Sequence, residues 1–511
     1  MSAATPQPIS LAARVRELAA AAPDKALVTD QDRSVTRGEF DQRTDRIARG
    51  LLAAGVKYGD LVTLGLGNSV DFVEACWGLW KIGATPQPIS HRLPRAEADA
   101  VMDLAETPVL VAEPHIQTSR PRYEIADLIA LDPGGAPPPD VTAPVWKAPT
   151  SGGSTGRPKL ILSGAPGVYL APEPGTLGIW GIEEPDTVIM TGPLYHNGPF
   201  ITSVGAVTQG AHLVIRSRFD AEDALAAIDR HKGSWIYLVP TMMSRIWRLP
   251  PATRASYDVS SLRMVWHLAA PCPAWLKEEW IGWLGAEAVM ELYGGTEGQA
   301  YTIISGGEWL NHRGSVGRVV MGEMKAVDAQ GRTLPPGETG EIFMRPPPGA
   351  PPTYAYRGAK ARVMEGGWES LGDIGWFDAD GYLYLADRRG DMILVGGSNV
   401  YPAEIEAALD EHPLVQSSAV IGLPDEDLGN RIHAIVQPRE GLTEADLRAH
   451  IASRLVTYKQ PRSYEFVSEN IRDDAGKVRR SQLRQERIQA ARRNEHVDLP
   501  RPASVGSITE T

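Results

Sequence analysis

The stretch TSGGSTGRPK, residues 150–159, is the most informative segment of this chain. Its glycines let backbone N–H groups approach a phosphate closely, its hydroxyl groups add hydrogen-bond donors, and Lys159 adds a positive charge. The Gly-x-x-x-x-Gly-Lys-Ser/Thr spacing of a Walker A loop is not met, so a P-loop is excluded. The same letters also suit a flexible Ser/Gly linker after a proline-rich stretch, and the segment alone does not decide between the two.

The segments around this loop alternate between strand-like and helix-like patterns. Upstream, Leu61–Leu66 has the pattern of a buried strand and Ser69–Lys81 that of a helix, while the Pro/Gly-rich stretch Asp132–Pro149 indicates a surface connection. Downstream, helix-like segments such as Ala221–Arg230 and Pro273–Leu284 separate strand-like apolar runs at Thr187–Thr191, His212–Arg216, Trp235–Val239, Met264–Leu268 and Val289–Leu292. This order predicts an α/β fold in which a large N-terminal domain packs helices on mainly parallel sheets.

Polar and glycine-rich clusters directly follow four of these apolar runs. The clusters are Pro193–Gly198, Pro240–Thr241, Ala269–Pro271 and Tyr293–Gly298. In open α/β sheets, ligands bind beyond the carboxyl ends of the strands. We therefore expect the four clusters to converge on one cleft.

A smaller unit begins near Asp391, where the pattern changes. Its helix-like and strand-like segments are Ala403–Leu409, Ser418–Gly422, Ile432–Gln437, Glu444–Leu455 and Tyr464–Val467. They predict a small α+β domain at the C-terminal end. The polar, proline-containing tail that follows is expected to be disordered.

Composition excludes several classes of function. The 511 residues suggest two or more domains, and the 43% hydrophobic content is typical of a globular protein. The net charge of −12 argues against nucleic acid or an anionic membrane as a partner. The two cysteines, Cys76 and Cys272, predict neither a disulfide framework nor a zinc site and suit a reducing cytoplasm. We see no secretory signal and no apolar stretch long enough to span a bilayer.

Four further segments carry residue types that suit nucleotide chemistry. Glu297 in YGGTEG, residues 293–298, has the carboxylate and glycine turn that suit Mg²⁺, and Asp373 in LGDIGW, residues 371–376, suits ribose hydroxyl groups. DRRGD, residues 387–391, precedes GGSNVYPAEIE, residues 396–406, and the basic GKVRR follows at residues 476–480. Taken singly, ordinary turns, a charged linker with a capped helix and a solvated basic turn explain these segments as well or better.

Taken in order and at these separations, the five segments resemble those of the adenylate-forming superfamily of acyl-CoA synthetases, peptide-synthetase adenylation domains and luciferases. The resemblance covers nearly the whole chain, from about Leu11 to about Arg484. It is nearest to aryl-acid and bile-acid-type acyl-CoA ligases and to related amide bond synthetases. It implies an enzyme that activates a carboxylic acid with ATP and Mg²⁺ through an acyl-adenylate and releases pyrophosphate.

The resemblance also implies residue roles. Thr296 would contact the α-phosphate, Glu297 would hold Mg²⁺, and Lys477 would bridge the α-phosphate and the substrate carboxylate. His196 would lie beside the acyl pocket. The implied ATP-binding residues are Thr150, Ser151, Gly152, Gly153, Ser154, Thr155, Gly156 and Lys159 around the β- and γ-phosphates, Ala270, Pro271, Tyr293 and Gly294 at the adenine, and Asp373 and Arg388 at the ribose.

These implied roles agree with the chemistry of adenylation. A carboxylate is a poor electrophile and repels a polyphosphate, so the reaction needs a cation between the two groups. It also needs a metal on the departing pyrophosphate and donors aimed at the α-phosphate. No general base is required, because a carboxylate is already ionised at neutral pH.

A mobile C-terminal domain is a further implication of the resemblance. Gly390 occupies the hinge position, where the family more often has Asp or Lys, and Gly396 and Gly397 would serve the transfer step. The expected division is an N-terminal domain at 1–389, a small mobile domain at 390–490 and a disordered tail at 491–511. The region Thr353–Gly358 is shorter and less typical than its family counterpart.

The substrate and the acceptor follow less directly. The candidate pocket residues are His196, Asn197, Phe200, Trp235, Tyr237, Thr241, Met242, Trp266, His267, Leu268 and Gly295. Their aromatic and methionine content favours an aromatic or bulky apolar acid, although about half of them are expected to be core residues. CoA is the commonest acceptor among relatives of this size. A free amine, a separate carrier protein, and a nucleotide-binding pseudoenzyme stay open as alternatives, and the oligomeric state stays unknown.

Overall fold

The computed structural model describes residues 7–152, 158–170, 178–395, 398–425, 427–474 and 476–497. The chain divides into two compact units. The first is Met1–Leu385 with Asp474–Lys477, and the second is Ala386–Asp473 with Val478–Thr511. The division therefore falls shortly before Gly390, and Lys477 groups with the first unit.

Several helices of the first unit begin at residues suited to capping. Thr36 accepts from the backbone N–H of Glu39 and Glu39 reaches back to Thr36, while Ser69 and Asp220 cap two other helices through their side chains. The helices are α1 (Leu11–Ala21), α2 (Arg37–Ala53), α3 (Val70–Trp80), α4 (Arg95–Ala105), α5 (Ile125–Ala130), α6 (Asn197–Gln209), α7 (Ala221–His231), α8 (Pro240–Trp247), α9 (Pro251–Ala255), α10 (Ala274–Leu284) and α11 (Gly306–Asn311).

The strands of the first unit are short and mostly buried. In chain order they are β1 (Ile9–Ser10), β2 (Ala26–Thr29), β3 (Ser34–Thr36), β4 (Leu61–Gly65), β5 (Thr85–Pro88), β6 (Leu110–Ala112), β7 (Arg122–Tyr123), β8 (Thr150–Gly152), β9 (Pro158–Ser163), β10 (Val168–Tyr169), β11 (Thr187–Met190), β12 (His212–Ile215), β13 (Trp235–Leu238), β14 (Met264–His267), β15 (Val289–Gly294), β16 (Tyr301–Ser305), β17 (Ser315–Met321), β18 (Glu323–Val327), β19 (Gly340–Arg345), β20 (Tyr354–Arg357), β21 (Arg362–Met364), β22 (Trp368–Phe377) and β23 (Tyr382–Arg388), the last of which runs across the division.

One large sheet organises the described residues. Its order is β18-β19-β22-β23-β17-β16-β15-β14-β13-β11-β12-β2-β3, with β21 beside β22. Pairing is parallel from β2 through β15 and antiparallel from β15 to β17. A second sheet, β5-β4-β6-β7, is parallel, and a third, β20-β9-β8, is antiparallel. The expected α/β fold is confirmed, with an antiparallel region added to its parallel core.

The parallel strands end in register. Met190 pairs with Tyr237, Tyr237 with Trp266, and Trp266 with Met290. Because β11, β13, β14 and β15 are parallel neighbours, the four segments that follow them leave the sheet from the same edge, and β15 continues to Gly294 beyond its last pair with β14 at Glu291. This is the arrangement that the four polar clusters predicted.

The end of the proline-rich stretch differs from expectation. Trp146 and Lys147 are buried rather than part of a surface connection. The backbone there is paired: the Trp80 indole N–H donates to the Trp146 carbonyl at 2.8 Å, and the Ala148 N–H donates to the Pro86 carbonyl at 3.1 Å. These bonds give partners to backbone groups of an irregular segment that lies inside the protein.

The second unit packs helices on a three-stranded sheet. Its elements are β24 (Ile393–Val395), β25 (Ser398–Val400), α12 (Pro402–Asp410), β26 (Val415–Asp425), β27 (Gly429–Pro438), α13 (Glu444–Ala452), β28 (Ser463–Phe466) and α14 (Arg480–Val497). The sheet order is β26-β27-β28. Helix α14 includes residues 491–497 of the expected tail, since its Glu, Gln, Arg and Ala residues favour helix; residues 498–511 lie outside the described part.

Candidate active site

A buried carboxylate and a lysine lie together at the end of β15. Glu297 is 5% exposed, and its Oε1 atom lies 3.5 Å from the Lys159 Nζ atom. The Tyr356 hydroxyl donates to the same Oε1 atom at 2.5 Å, and Lys159 lies over the Tyr356 ring at 4.1 Å. The residue expected to hold a metal and the lysine expected to contact phosphate therefore share one cluster.

Tyr356 reaches this cluster because of the β20-β9-β8 sheet. In that sheet Tyr356 pairs with Ile161, two residues after Lys159. Burial, reinforced by the negative charge of Glu297, raises the pKa of Tyr356, so its hydroxyl keeps its proton and stays a donor. On the same strand, the Tyr354 hydroxyl donates to Glu369 at 2.5 Å, and Glu369 also accepts from Gln299 at 2.6 Å.

The expected adenine and ribose residues of the first unit also meet. The Tyr293 hydroxyl donates to the Asp373 Oδ2 atom at 2.7 Å, which joins the end of β15 to β22. Gly294 and Gly295 follow Tyr293 where space is tight. A Cβ atom on Gly294 would lie 2.3 Å from the Tyr301 ring, and one on Gly295 would lie 2.3 Å from Leu371. A larger residue at Gly294 would displace the Tyr301 ring, and one at Gly295 would displace the ends of the Leu371 and Glu297 side chains.

A left-handed residue shapes the segment after β14. Ala269 has φ +74°, a conformation that costs a residue with a Cβ atom about 1 kcal/mol or more. It directly precedes Ala270 and Pro271, the expected adenine-flanking pair. Strain of this kind collects at functional sites.

His196 occupies the N-cap position of helix α6, in the segment that follows β11. Its backbone is extended, and its side chain makes no capping hydrogen bond. Burial, with the positive charge of Lys477 as the next cause, lowers the pKa of His196 to about 3. The imidazole is therefore neutral near pH 7 and suits the wall of an apolar acyl pocket better than a proton-transfer role.

A small cavity of about 30 Å³ lies beside these elements. Its lining residues are Ile179, Trp180, Asn197, Gly198, Ile201, Leu268, Leu292, Gly294, Gly295 and Tyr301. Of the expected pocket residues, Asn197, Leu268 and Gly295 line it. This volume is close to that of one water molecule and far below the range for small-molecule sites, so the cavity walls must move apart to take the acyl group of an acid.

Other expected pocket residues pack away from the cavity. Phe200 contacts the rings of Phe72, Trp80 and Trp146 at centroid distances of 6.0–6.3 Å. The indole N–H of Trp266 donates to the Trp180 carbonyl at 3.2 Å, and that of Trp235 donates to the same oxygen at 2.9 Å.

The remaining expected pocket residues that do not line the cavity are Tyr237, His267, Thr241 and Met242. Tyr237 is buried, and its hydroxyl lies where a side chain on Gly198 would be. His267 is fully buried without a hydrogen-bond partner among the described residues, and burial lowers its pKa far below the usual range. Met242 is buried in the core, whereas a Cβ atom on Gly476 would lie 3.1 Å from the Thr241 hydroxyl.

Two family models match this chain. A model described as AMP-binding enzyme matches residues 15–354, and one described as AMP-binding enzyme C-terminal domain matches residues 404–477. The chain belongs to the AMP-binding enzyme family. The expected adenylate-forming family and enzyme class are both confirmed.

Individual members of this family match over nearly their full length. The chain is 30% identical to feruloyl-CoA synthase of Amycolatopsis sp, over 88% of this chain and 94% of that protein. The structure superposes on anthranilate CoA ligase AuaEII in complex with anthranoyl-AMP with a TM-score of 0.80 and 25% identity, over 95% of this chain and 99% of that one. It superposes on o-succinylbenzoate coenzyme A synthetase from Bacillus subtilis, in complex with ATP and magnesium ion, with a TM-score of 0.77 and 25% identity, over 94% and 100%.

The Glu297 carboxylate fits a magnesium ion in an AMP-binding enzyme. Tyr356 and Lys159 both contact its Oε1 atom, whereas Oε2 has no hydrogen bond or ion pair among the described residues. Mg²⁺ uses one or two protein carboxylates together with phosphate oxygens. The Oε2 atom supplies one such ligand beside a lysine that suits phosphate, and Thr296 lies next to it in the chain.

The segment that carries Lys477 has contacts at both ends. Within the first unit, Asp474 pairs with Arg92 at 3.1 Å, and Gly476 packs on Val239 and Thr241. Within the second unit, Arg472 and Arg480, which flank the segment, bind one carboxylate, Glu406, at 3.1 and 2.8 Å. Glu406 thus fixes both ends of the chain segment that holds Lys477.

Several expected site residues cannot be placed. Gly153, Ser154, Thr155, Gly156, Gly396 and Gly397 lie outside the described residues. Thr150, Ser151 and Gly152 form β8. Arg388 ends β23, and its carbonyl accepts from the Asp391 N–H at 3.0 Å across Gly390.

Among the helices that the structure describes, none has the length and apolarity needed to cross a membrane.

Proposed function

We propose that this AMP-binding enzyme joins an aromatic or bulky apolar carboxylic acid to ATP and then transfers the acyl group to CoA. In the first step a carboxylate oxygen bonds to the α-phosphorus and pyrophosphate leaves. In the second step the CoA sulfur bonds to the acyl carbon and AMP leaves. The observation that carries the proposal is the Glu297, Lys159 and Tyr356 cluster, beside the Tyr293–Asp373 pair.

Each residue has a task in this chemistry. Lys159 offsets phosphate charge, and the Tyr356 hydroxyl fixes the Glu297 carboxylate so that its Oε2 atom can hold the metal. Magnesium supplies charge neutralisation on the departing pyrophosphate. Tyr293 and Asp373 position the nucleoside, and the ribose role of Arg388 stays a prediction. Lys477 holds the carboxylate against the α-phosphate, and neutral His196 forms a wall of the acyl pocket.

The acid and acceptor classes are supported by two kinds of observation. The cavity wall includes Trp180, Ile201, Leu268 and Leu292, which suit an apolar group. Relatives named feruloyl-CoA synthase and indoleacetate–CoA ligase carry aromatic acids and CoA in their names. The cytoplasmic location, the swing about Gly390 and the acceptor role of Gly396 and Gly397 stay predictions.

Pyrophosphate release across a panel of acids tests the proposal. CoA and simple amines are added separately to acids that give release, and products are identified by mass. Thioester formation supports CoA as the acceptor, whereas amide formation without thioester moves the chain to the amide synthetase alternative. Adenylate that accumulates with both acceptors favours a carrier protein, and ATP binding without acid-dependent release indicates a pseudoenzyme.

A further inference from the structure

Lys147 is a buried cation that the reaction described above does not use. It is 7% exposed, and no carboxylate of the described residues forms an ion pair with it. Burial lowers the pKa of its ammonium group to about 7, and the more distant Glu297 carboxylate acts in the opposite direction. A group as costly to bury as this one needs a local partner.

That partner is the side chain of Asn197. The Lys147 Nζ atom donates to the Asn197 Oδ1 atom. Lysine offers donors and, when charged, no acceptor, so the oxygen of the amide must face Lys147. The Nδ2 group is left on the other side, and it makes no hydrogen bond within the part of the chain that the structure describes. Lys147 therefore fixes which end of the amide is available.

The Nδ2 group that faces away from Lys147 belongs to Asn197, a residue that lines the cavity. Asn197 lines the cavity at the start of α6, among the mostly apolar side chains of Ile179, Ile201, Leu268 and Leu292. Trp180 lines the same cavity, and its buried indole N–H has no hydrogen-bond partner among the described residues. The wall of this cavity therefore includes two residues whose donors lack a protein acceptor among the described residues. The Trp180 N–H is buried, where donors are rarely left unpaired, whereas the Asn197 Nδ2 group keeps accessible surface and is open to a ligand.

We propose that the Lys147–Asn197 pair makes this cavity selective for acids whose acyl group carries a hydrogen-bond acceptor, which the Asn197 amide binds. This inference rests on the proposed function and specifies its substrate class. The acceptor is a ring nitrogen, a carbonyl or ether oxygen, or a second carboxylate. A site built to hydrogen-bond its substrate discriminates more strongly than an apolar pocket, because an analogue without the group leaves the donor unpaired.

The test compares acids that differ in one ring atom. Naphthalene carboxylates are paired with quinoline and isoquinoline carboxylates of the same shape, and a second carboxylate and a methoxy group are tested on the same frame. The readout is the ratio of kcat/KM for the acceptor-bearing acid to that of its hydrocarbon partner. We expect at least one pair to give a ratio of about ten or more in the wild type.

Three variants separate the inference from its alternatives. Asn197→Leu removes the donor, and Lys147→Met removes the group that orients it, so both should bring the ratio towards one. Lys147→Arg keeps a donor to the Asn197 oxygen and should retain the preference. A ratio near one for every pair in the wild type, or a ratio unchanged by Asn197→Leu, overturns the inference. Absence of pyrophosphate release with every acid instead overturns the proposed function.

Discussion

Removal of one hydroxyl group tests the metal site more selectively than removal of its carboxylate. In Tyr356→Phe, Glu297 loses the donor at 2.5 Å from its Oε1 atom, while the ring under Lys159 at 4.1 Å stays. A hydrogen bond to a charged group contributes about 1.5–3 kcal/mol. Loss of a residue that orients a metal ligand typically weakens metal affinity by about 10–100-fold.

We therefore expect the Mg²⁺ concentration for half-maximal pyrophosphate release to rise about 10–100-fold in Tyr356→Phe. The rate at saturating Mg²⁺ should fall much less, because the Glu297 carboxylate is still present. The assay is a Mg²⁺ titration at saturating ATP and acid, with ionic strength held constant.

Tyr354→Phe is the matched control. Tyr354 lies on the same strand, and its ring centroid is 4.6 Å from that of Tyr356, but its hydroxyl donates to Glu369. The Tyr354 hydroxyl interacts with that of Tyr356 but does not contact Glu297, so the Mg²⁺ dependence of Tyr354→Phe should shift far less than that of Tyr356→Phe. Equal shifts in both variants, or no shift in Tyr356→Phe, would refute the reasoning that Tyr356 positions Glu297.

Further variants test the buried charge of Lys147, the backbone strain at Ala269 and the separate half-reactions. Burial lowers the pKa of Lys147 from 10.5 to about 7, a cost of about 5 kcal/mol to the charged form, whereas Lys147→Met removes that cost and leaves the Asn197 Oδ1 atom without its donor, at about 1–3 kcal/mol; the variant should therefore stabilise the fold by roughly 2–4 kcal/mol below pH 7. Wild-type stability rises with pH from about 7 to 10.5, so this advantage should shrink there, and a pH-independent difference in urea denaturation would contradict the prediction. Ala269→Gly should relieve the left-handed strain at φ +74° and raise stability by up to about 1 kcal/mol, partly offset by the flexibility of glycine; a clear loss of thermal stability would show that the Ala269 methyl group has a packing role. Lys477→Ala should slow adenylation by about two to three orders of magnitude but slow transfer from supplied acyl-adenylate far less, whereas Gly390→Pro should slow transfer more than adenylation. Equal loss of both steps in Lys477→Ala would contradict alternation of the small domain.

The parallel core was largely predictable because each strand has a local signature. The apolar run Trp235–Val239 became β13 at Trp235–Leu238, and Ser69 capped the helix expected after it in sequence. Convergence of the four polar clusters followed from one general rule about strand ends. The meeting of Tyr293 and Asp373 then required only that β15 and β22 belong to the same sheet.

Residues supplied by distant pairing were not predictable. Tyr356 contacts Glu297 because β20 pairs with β9 across nearly two hundred residues of chain, and no local pattern encodes that register. Lys147 lies in a proline-rich stretch whose composition indicates a surface. The segment is held inside by hydrogen bonds from the Trp80 indole N–H and the Ala148 backbone N–H, which sequence periodicity does not reveal.

Acid-dependent exchange of pyrophosphate into ATP tests whether this enzyme forms an acyl-adenylate. Exchange requires reversible formation of the acyl-adenylate and does not require the acceptor, so it isolates the first half-reaction. We expect exchange that needs both Mg²⁺ and an aromatic or bulky acid, and a loss of about a hundredfold or more in Glu297→Gln. If the wild type shows no exchange with any acid, acyl-adenylate formation is contradicted. If Glu297→Gln exchanges as fast as the wild type, the metal role of Glu297 is contradicted.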